Sequence, residues 1–183
     1  MKSVLISIRP KWVEKIASGK KTIEVRKSAP KEVPFKAYIY CTRITDKKHC
    51  RDEFDVGIWK GNEHVIGEFI CDKVYLIKNQ RNRFVVANEE QGVTNEIARQ
   101  SCLDYDDMVN YLGNKDGYGW HISDLKIYDK PKELSEFFNP CKKSSCRMCD
   151  WEREYDVCAC GYKKPITRPP QSYMFVEELG QTI

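Results

Sequence analysis

Short segments of alternating apolar and polar residues recur along the chain and predict β-strands. Their apolar positions repeat with a period of two and are rich in β-branched and aromatic residues, which pack well on a pleated surface. The predicted strands cover residues 4–8, 22–26, 37–42, 65–76, 120–128 and 172–177. Residues 79–91 are mainly polar and predict a loop.

Helical periodicity is predicted in three regions between these strands. A helix is predicted over residues 10–18, where Pro10 fits the first helical position and Gly19 fits the end of the helix. One or two short helices are predicted within 94–112, and a last one from Pro131 to about residue 138. Strands and helices do not alternate regularly. The pattern therefore favours an α+β fold, a small mixed β-barrel with short flanking helices, over a doubly wound parallel sheet.

A compact charged pattern, G-x-K-x-x-E-x-R, follows the first predicted helix at Gly19, Lys21, Glu24 and Arg26. Side chains alternate between the two faces of a strand, so Glu24 and Arg26 share one face while Lys21 lies at the turn. Charges held where a helix meets a strand can form a rigid polar site. An exposed Glu–Arg pair would contribute little to stability. We expect Lys21 to be at least half exposed, so that its replacement by alanine removes function with little loss of stability.

This pattern resembles the signature of the ASCH family, whose domains share a β-barrel related to the RNA-binding PUA domain. Four further segments are similar to ASCH proteins of phages and bacteria. They are SVLISIRPK from Ser3, VIGEF from Val65, WHISDL from Trp120 and PPQSY from Pro169. The resemblance implies a PUA-like small mixed β-barrel, formed by residues 1–138 together with 165–183. Residues 139–164 would then be a cysteine-rich insertion.

The size and composition are those of a small globular protein. The chain has 183 residues, of which 41% are hydrophobic, enough for one domain with a sizeable core. The apolar stretch at the N-terminus is interrupted at once by Arg9 and Pro10, and no other stretch approaches the length that spans a membrane. We therefore expect a cytoplasmic protein without a membrane partner.

The positive charge is concentrated at the N-terminal end. Residues 1–48 contain 13 Lys and Arg against 4 Asp and Glu, a balance of +9, whereas the remaining residues contain 18 against 23, a balance of −5. Because the signature lies in the basic part, a positive field around it would favour a polyanion or a phosphate-bearing ligand. A merely solubilising surface would have the same composition.

Nine cysteines in a chain expected in a reducing compartment argue against a disulfide framework. Cys41 and Cys71 fall in strand patterns and are expected to be small buried hydrophobic residues. Five others lie within twenty residues with the spacing C-x4-C-x2-C-x8-C-x-C. Four thiolates at such spacing can bind one structural zinc ion, which leaves no open position for water. The predicted ligands are Cys141, Cys146, Cys149 and Cys158, with Cys160 as the alternate.

Binding of RNA or of a modified nucleotide or nucleoside is the function that these patterns favour. In this hypothesis Lys21 and Arg26 hold a phosphate or a base edge, and Glu24 accepts a hydrogen bond from an exocyclic amine. Tyr118 or Trp120 would stack on the base. The expected ligand-binding residues are Lys21, Thr22, Glu24, Arg26, Glu68, Tyr118 and Trp120.

Two other functions stay open. In a hydrolase acting on RNA or a modified nucleoside, Lys21 and Glu24 would form an acid–base pair and Arg26 would stabilise negative charge. Amidohydrolases of the ASCH family use a signature Lys with a Thr nucleophile, and Glu24 occupies the position of that Thr here. The third possibility is a regulatory interaction protein that docks through its zinc-binding insertion.

Overall fold

A computed structural model of the chain describes residues 1–43, 62–80, 83–86, 91–140 and 164–180. The strands of this part are β1 (Lys2–Ile8), β2 (Ile23–Arg26), β3 (Phe35–Cys41), β4 (Val65–Cys71), β5 (Val74–Gln80), β6 (Arg83–Val86), β7 (Gly117–His121), β8 (Ser123–Lys132) and β9 (Tyr173–Val176). The helices are α1 (Pro10–Ala17), α2 (Gln91–Ser101) and α3 (Tyr105–Leu112), with a 3-10 turn over Leu134–Glu136. These elements form an α+β fold dominated by strands, as the sequence predicts.

The described strands form two sheets. The five-stranded sheet has the order β8-β4-β3-β1-β9, in which β1 and β3 are parallel and the other pairs are antiparallel. The four-stranded sheet has the order β2-β7-β5-β6 and is antiparallel throughout. In the described part of the chain no strand pair joins the two sheets, so the expected closed barrel is not formed there. The two sheets are held together by buried side chains that pack between them.

Three clusters of buried side chains hold these layers together. The first lies between the sheets and includes Phe35 and Phe69 from one sheet, Trp120 from the other, and Val13 of α1. The second packs the four-stranded sheet against α2 and α3. The third covers the opposite face of the five-stranded sheet, where the ring of Phe137 packs edge to face with the ring of Tyr38. Each sheet is therefore covered on both faces.

Helix α1 and strand β2 form where the sequence predicts them. Arg9 is extended and Pro10 occupies the start of α1, a position that needs no backbone N–H donor. Val13 and Ile16 bury one face of the helix. Gly19 has a φ of +72°, the left-handed conformation that ends helices. The predicted stop at Gly19 is thus confirmed.

Several other predicted boundaries are wrong. The segment 65–76 is two strands, β4 and β5, and the segment 120–128 is likewise divided between β7 and β8. The helix predicted from Pro131 to about residue 138 is reduced to the 3-10 turn over Leu134–Glu136, because β8 continues to Lys132. β8 lies at the edge of its sheet, where a proline's missing N–H costs no ladder hydrogen bond. Strand β6 lies within the segment that was predicted to be a loop.

The chain leaves and re-enters the fold at neighbouring points around the predicted insertion. Phe138 and Pro165 form an antiparallel bridge, and the N–H of Ile166 donates to the carbonyl of Phe137 over 2.8 Å. The strand that follows, β9, pairs with β1. The predicted zinc ligands lie outside the described residues, so the zinc-stabilised insertion stays a prediction. Among the described helices, none is long and apolar enough to cross a membrane.

Candidate functional site

The three charged signature residues lie at one cavity and are almost completely buried. Lys21 lies two residues before the start of β2. Glu24 and Arg26 lie on the same face of the sheet as their β7 partners Trp120 and Tyr118. The exposed fractions are 2% for Lys21, 6% for Glu24 and 5% for Arg26. The cavity has a volume of about 520 Å³ and is called here the signature cavity. Its lining comes from the ends of β1 and β3, from α1, β2 and α3, and from residues 169–171.

Glu24 is held between the two cations, and the three residues are called here the signature network. The Nζ of Lys21 lies 3.3 Å from Oε2 of Glu24, and the Nε of Arg26 lies 3.1 Å from Oε1. The contact between Arg26 and Glu24 is an ion pair without a hydrogen bond, because the Nε of Arg26 makes no hydrogen bond to a described residue. One carboxylate thus faces two cations, which leaves one net positive charge.

Each of the two cationic side chains also donates a hydrogen bond to a backbone carbonyl. Lys21 Nζ donates to the carbonyl of Ser101 over 2.6 Å, and Arg26 Nη2 donates to the carbonyl of Ser7 over 2.6 Å. Ser101 is the last residue of α2, where the helix dipole places partial negative charge. The end of α2 also fixes the turn, since the N–H of Thr22 donates to the carbonyl of Gln100 over 2.9 Å. The signature network is therefore attached to β1 and α2 as well as to β2.

The expectation of an exposed Lys21 is wrong. Its ammonium group makes a short bond to a buried carbonyl and an ion pair with a buried carboxylate. Removing one partner of such a pair leaves the other charged group buried and unbalanced. Replacement of Lys21 by alanine should therefore lower stability as well as function.

Two aromatic side chains, Trp12 of α1 and Tyr111 of α3, line the signature cavity. Three ammonium groups lie over the Trp12 ring, at 4.8 Å for Lys11, 5.0 Å for Lys15 and 5.2 Å for Lys21 from its centroid. Such cation–π contacts keep positive charge around the aromatic face. The cavity therefore combines aromatic surface with cations.

Tyr111 carries a neutral hydroxyl group beside the signature network. Burial raises the pKa of Tyr111, an effect that the charge of Arg26 opposes and that of Glu24 reinforces. The ammonium of Lys27 lies 5.3 Å from the centre of the ring. Tyr111 is 36% exposed and can therefore contact a ligand.

Several polar side chains at the signature cavity have no partner among the described residues. Asp107, Asn110 and Gln171 line it, and their side chains make no hydrogen bond or ion pair with the described residues. Arg9, at the start of α1, is exposed and lines it as well. These groups can bond to a ligand without breaking an existing contact.

Known structures match this chain where other comparisons find nothing. No protein-family model and no curated protein matches the sequence. The crystal structure of the ASCH protein from Zymomonas mobilis matches with a TM-score of 0.51 and 18% identity over 97% of this chain and 89% of that chain. A single-residue variant of the same protein matches with a TM-score of 0.56 and 18% identity, covering 97% of this chain and 92% of its own. The chain has the ASCH fold. The resemblance noted in the sequence is thus confirmed at the level of the fold.

Not all of the residues expected to bind a ligand lie at this cavity of the ASCH fold. Trp120 is fully buried between the sheets, with its ring 5.0 Å from Phe35 and 5.2 Å from Tyr173. Tyr118 packs against the same core, and Thr22 is not among the lining residues. Stacking by Trp120 is wrong, because its ring is enclosed in the core, and Tyr118 does not line the cavity. The sequence analysis did not single out Trp12 and Tyr111, the aromatic residues that do line it.

Glu68 belongs to a second polar cluster, called here the tail network. It accepts a hydrogen bond from the hydroxyl of Tyr128 over 2.6 Å and lies 3.6 Å from the Nζ of Lys36. Lys36 also pairs with Glu178 over 2.9 Å, and the N–H of Leu179 donates to the hydroxyl of Tyr38 over 2.9 Å. Glu68 therefore does not point into the signature cavity, contrary to expectation.

The described residues hold no group of three or more His, Cys, Asp or Glu side chains that could bind a metal ion. Cys41 and Cys71 are buried in strands, as expected, and burial raises the pKa of each thiol to about 12. Neither is thus a reactive thiolate at neutral pH. Zinc binding by Cys141, Cys146, Cys149 and Cys158, or by the alternate Cys160, is a prediction about residues outside this set.

Proposed function

We propose that this protein binds RNA, or a modified nucleotide or nucleoside, in the signature cavity. The observation that carries the proposal is the combination, on one concave surface, of net positive charge, aromatic rings and uncommitted polar groups. Single-stranded nucleic acids are bound by such combinations, in which aromatic rings stack on bases and cations contact phosphates. A cytoplasmic location is part of the proposal.

Electrostatics favours an anionic ligand. The signature network has one positive charge in excess. Arg9 adds another, and Lys11 and Lys27 lie close to the two aromatic residues that line the cavity. Against these, Asp107 is the one lining carboxylate outside the signature network in the described part of the chain. The signature cavity has a volume of about 520 Å³, which falls within the range of small-molecule sites.

Binding is better supported than hydrolysis. Both oxygens of Glu24 face cations, and Lys21 donates to a carbonyl and pairs with Glu24. A general acid or base must reach the reacting proton, and these two groups would first have to leave their partners. In a binding protein these contacts can stay intact, and they fix the shape and charge of the cavity wall.

Fluorescence anisotropy with labelled single-stranded RNA, and calorimetry with modified nucleosides, test this function at low salt. Tyr111→Ala should weaken RNA binding about fivefold or more, because stacking contributes about 1–3 kcal/mol per base. Tyr105→Ala is the matched control, since Tyr105 is exposed on the same helix but does not line the cavity. Absence of binding by the unmodified protein, or equal losses in the two variants, would contradict the proposal.

A further inference from the structure

We infer that the signature cavity selects an unpaired guanine base, which is read by Asp107 and Asn110 on α3. This inference rests on the proposed function and adds the base identity. Lys21 and Glu24 cannot read a base without giving up contacts, because both carboxylate oxygens face cations and the ammonium donates to a carbonyl. The Nη2 of Arg26 likewise donates to the carbonyl of Ser7. We therefore assign the reading groups to the uncommitted lining residues.

Asp107, Asn110 and Tyr111 share one face of α3. They lie at positions i, i+3 and i+4 of a helix, so their side chains are neighbours, and all three line the signature cavity. The backbone N–H of Asp107 is bonded to the side chain of Asp104 over 2.7 Å, which caps the helix. This cap fixes the position of Asp107 while its own carboxylate has no partner among the described residues.

The free carboxylate of Asp107 matches the edge of guanine. A carboxylate offers two adjacent acceptors and no donor. The Watson–Crick edge of guanine presents two adjacent donors, the N1–H and the exocyclic amine. Adenine, cytosine and uracil each present one donor group beside an acceptor on that edge, and an acceptor would face the second oxygen with repulsion. In single-stranded RNA this edge is open to protein side chains.

Asn110 and Tyr111 supply the complementary contacts. The amide of Asn110 lies one turn further along α3 and can donate to the O6 acceptor that adjoins guanine N1. Tyr111 follows directly and offers its ring for stacking on the same base. The negative charge of Asp107 repels phosphate, so we assign the phosphate of the bound nucleotide to Arg9, which is exposed and lines the same cavity.

The test compares two short uridine-rich RNA strands that carry a single guanosine or a single inosine. Inosine keeps N1–H and O6 and lacks the exocyclic amine, so it removes one of the two donors proposed to bond to Asp107. We expect the full-length protein to bind the guanosine strand about tenfold more tightly, which is the discrimination expected of one bidentate pair. Asp107→Asn should reduce guanosine binding to the level of inosine.

Asp106→Asn is the matched control, because Asp106 lies in the same first turn of α3 and does not line the signature cavity. Both variants remove one negative charge from the helix start, so the helix-dipole effect is shared. Equal binding of the two strands by the unmodified protein would overturn the guanine inference and leave the proposed function standing. Failure to bind either strand, any other RNA or a modified nucleoside would overturn both.

Discussion

The signature network and the tail network contain similar residues in different surroundings. Each pairs a lysine with carboxylates and has a tyrosine nearby. The Lys21 and Glu24 side chains are 1% and 8% exposed, whereas the Lys36 and Glu68 side chains are 15% and 22% exposed. The signature network lines a cavity. The tail network is covered by the C-terminal segment, to which Glu178 contributes an ion pair.

This difference shows what distinguishes a candidate site from a structural polar cluster. In the tail network Lys36 pairs with two carboxylates, whereas the signature network has one positive charge in excess. Beside the signature network, Asp107 and Asn110 line the cavity, and their side chains make no hydrogen bond or ion pair with the described residues. In the tail network Tyr128 donates to Glu68 and Tyr38 accepts from the chain end. Uncommitted polar groups beside an excess positive charge therefore mark the site.

The largest expected effect separates the two networks by stability. Glu24→Gln leaves two buried cations without a counter-charge and should lower the free energy of unfolding by about 3–5 kcal/mol. Glu68→Gln keeps an acceptor for Tyr128 at a partly exposed position and should cost at most about 1 kcal/mol. Urea unfolding of both variants measures the contrast. Equal losses would mean that the two networks are energetically alike.

A smaller effect concerns the response of the tail network to acid. Hydrogen bonding to Lys36 and the nearby N-terminal amine hold the pKa of Glu178 below its ordinary value of 4.5. A carboxylate with a lowered pKa stabilises the fold above its unfolded-state value, and this contribution is lost as the pH falls through the folded-state value. Because Glu178 is partly exposed, the contribution should be under about 1 kcal/mol.

Glu178→Gln removes this contribution, so the unmodified protein and the variant should converge in stability as the pH is lowered from 6 to 3. Urea unfolding at several pH values measures the difference. A difference that stays constant or grows in acid would show that the Glu178 carboxylate does not stabilise the tail network.

Local patterns predicted the part of the fold that presents the signature. Pro10 and Gly19 bound α1 through fixed backbone preferences, and alternation placed Glu24 and Arg26 together on β2. These features depend on neighbouring residues in the chain. For the same reason they could be recognised without knowledge of the tertiary structure.

Features that depend on distant partners were missed. Burial of Lys21 depends on Ser101, which is 80 residues away. Glu68 does not line the signature cavity because it lies beside Tyr38, on the face of the five-stranded sheet that is covered by the third cluster. Trp120 enters the core since the two sheets pack face to face around it. The helical spacing of Asp107 and Tyr111 was visible in the sequence, but only the packing of α3 shows which face lines the cavity.

A two-dimensional NMR titration of the labelled protein with single-stranded RNA tests most directly whether the signature cavity is the binding site. The amide signals of Trp12, Asp107 and Tyr111 should shift progressively as RNA is added, because these residues line the cavity. The amide signals of Lys36 and Glu178, in the tail network, should stay in place. Shifts concentrated in the tail network, or no shifts at saturating RNA, would contradict the assignment of the site.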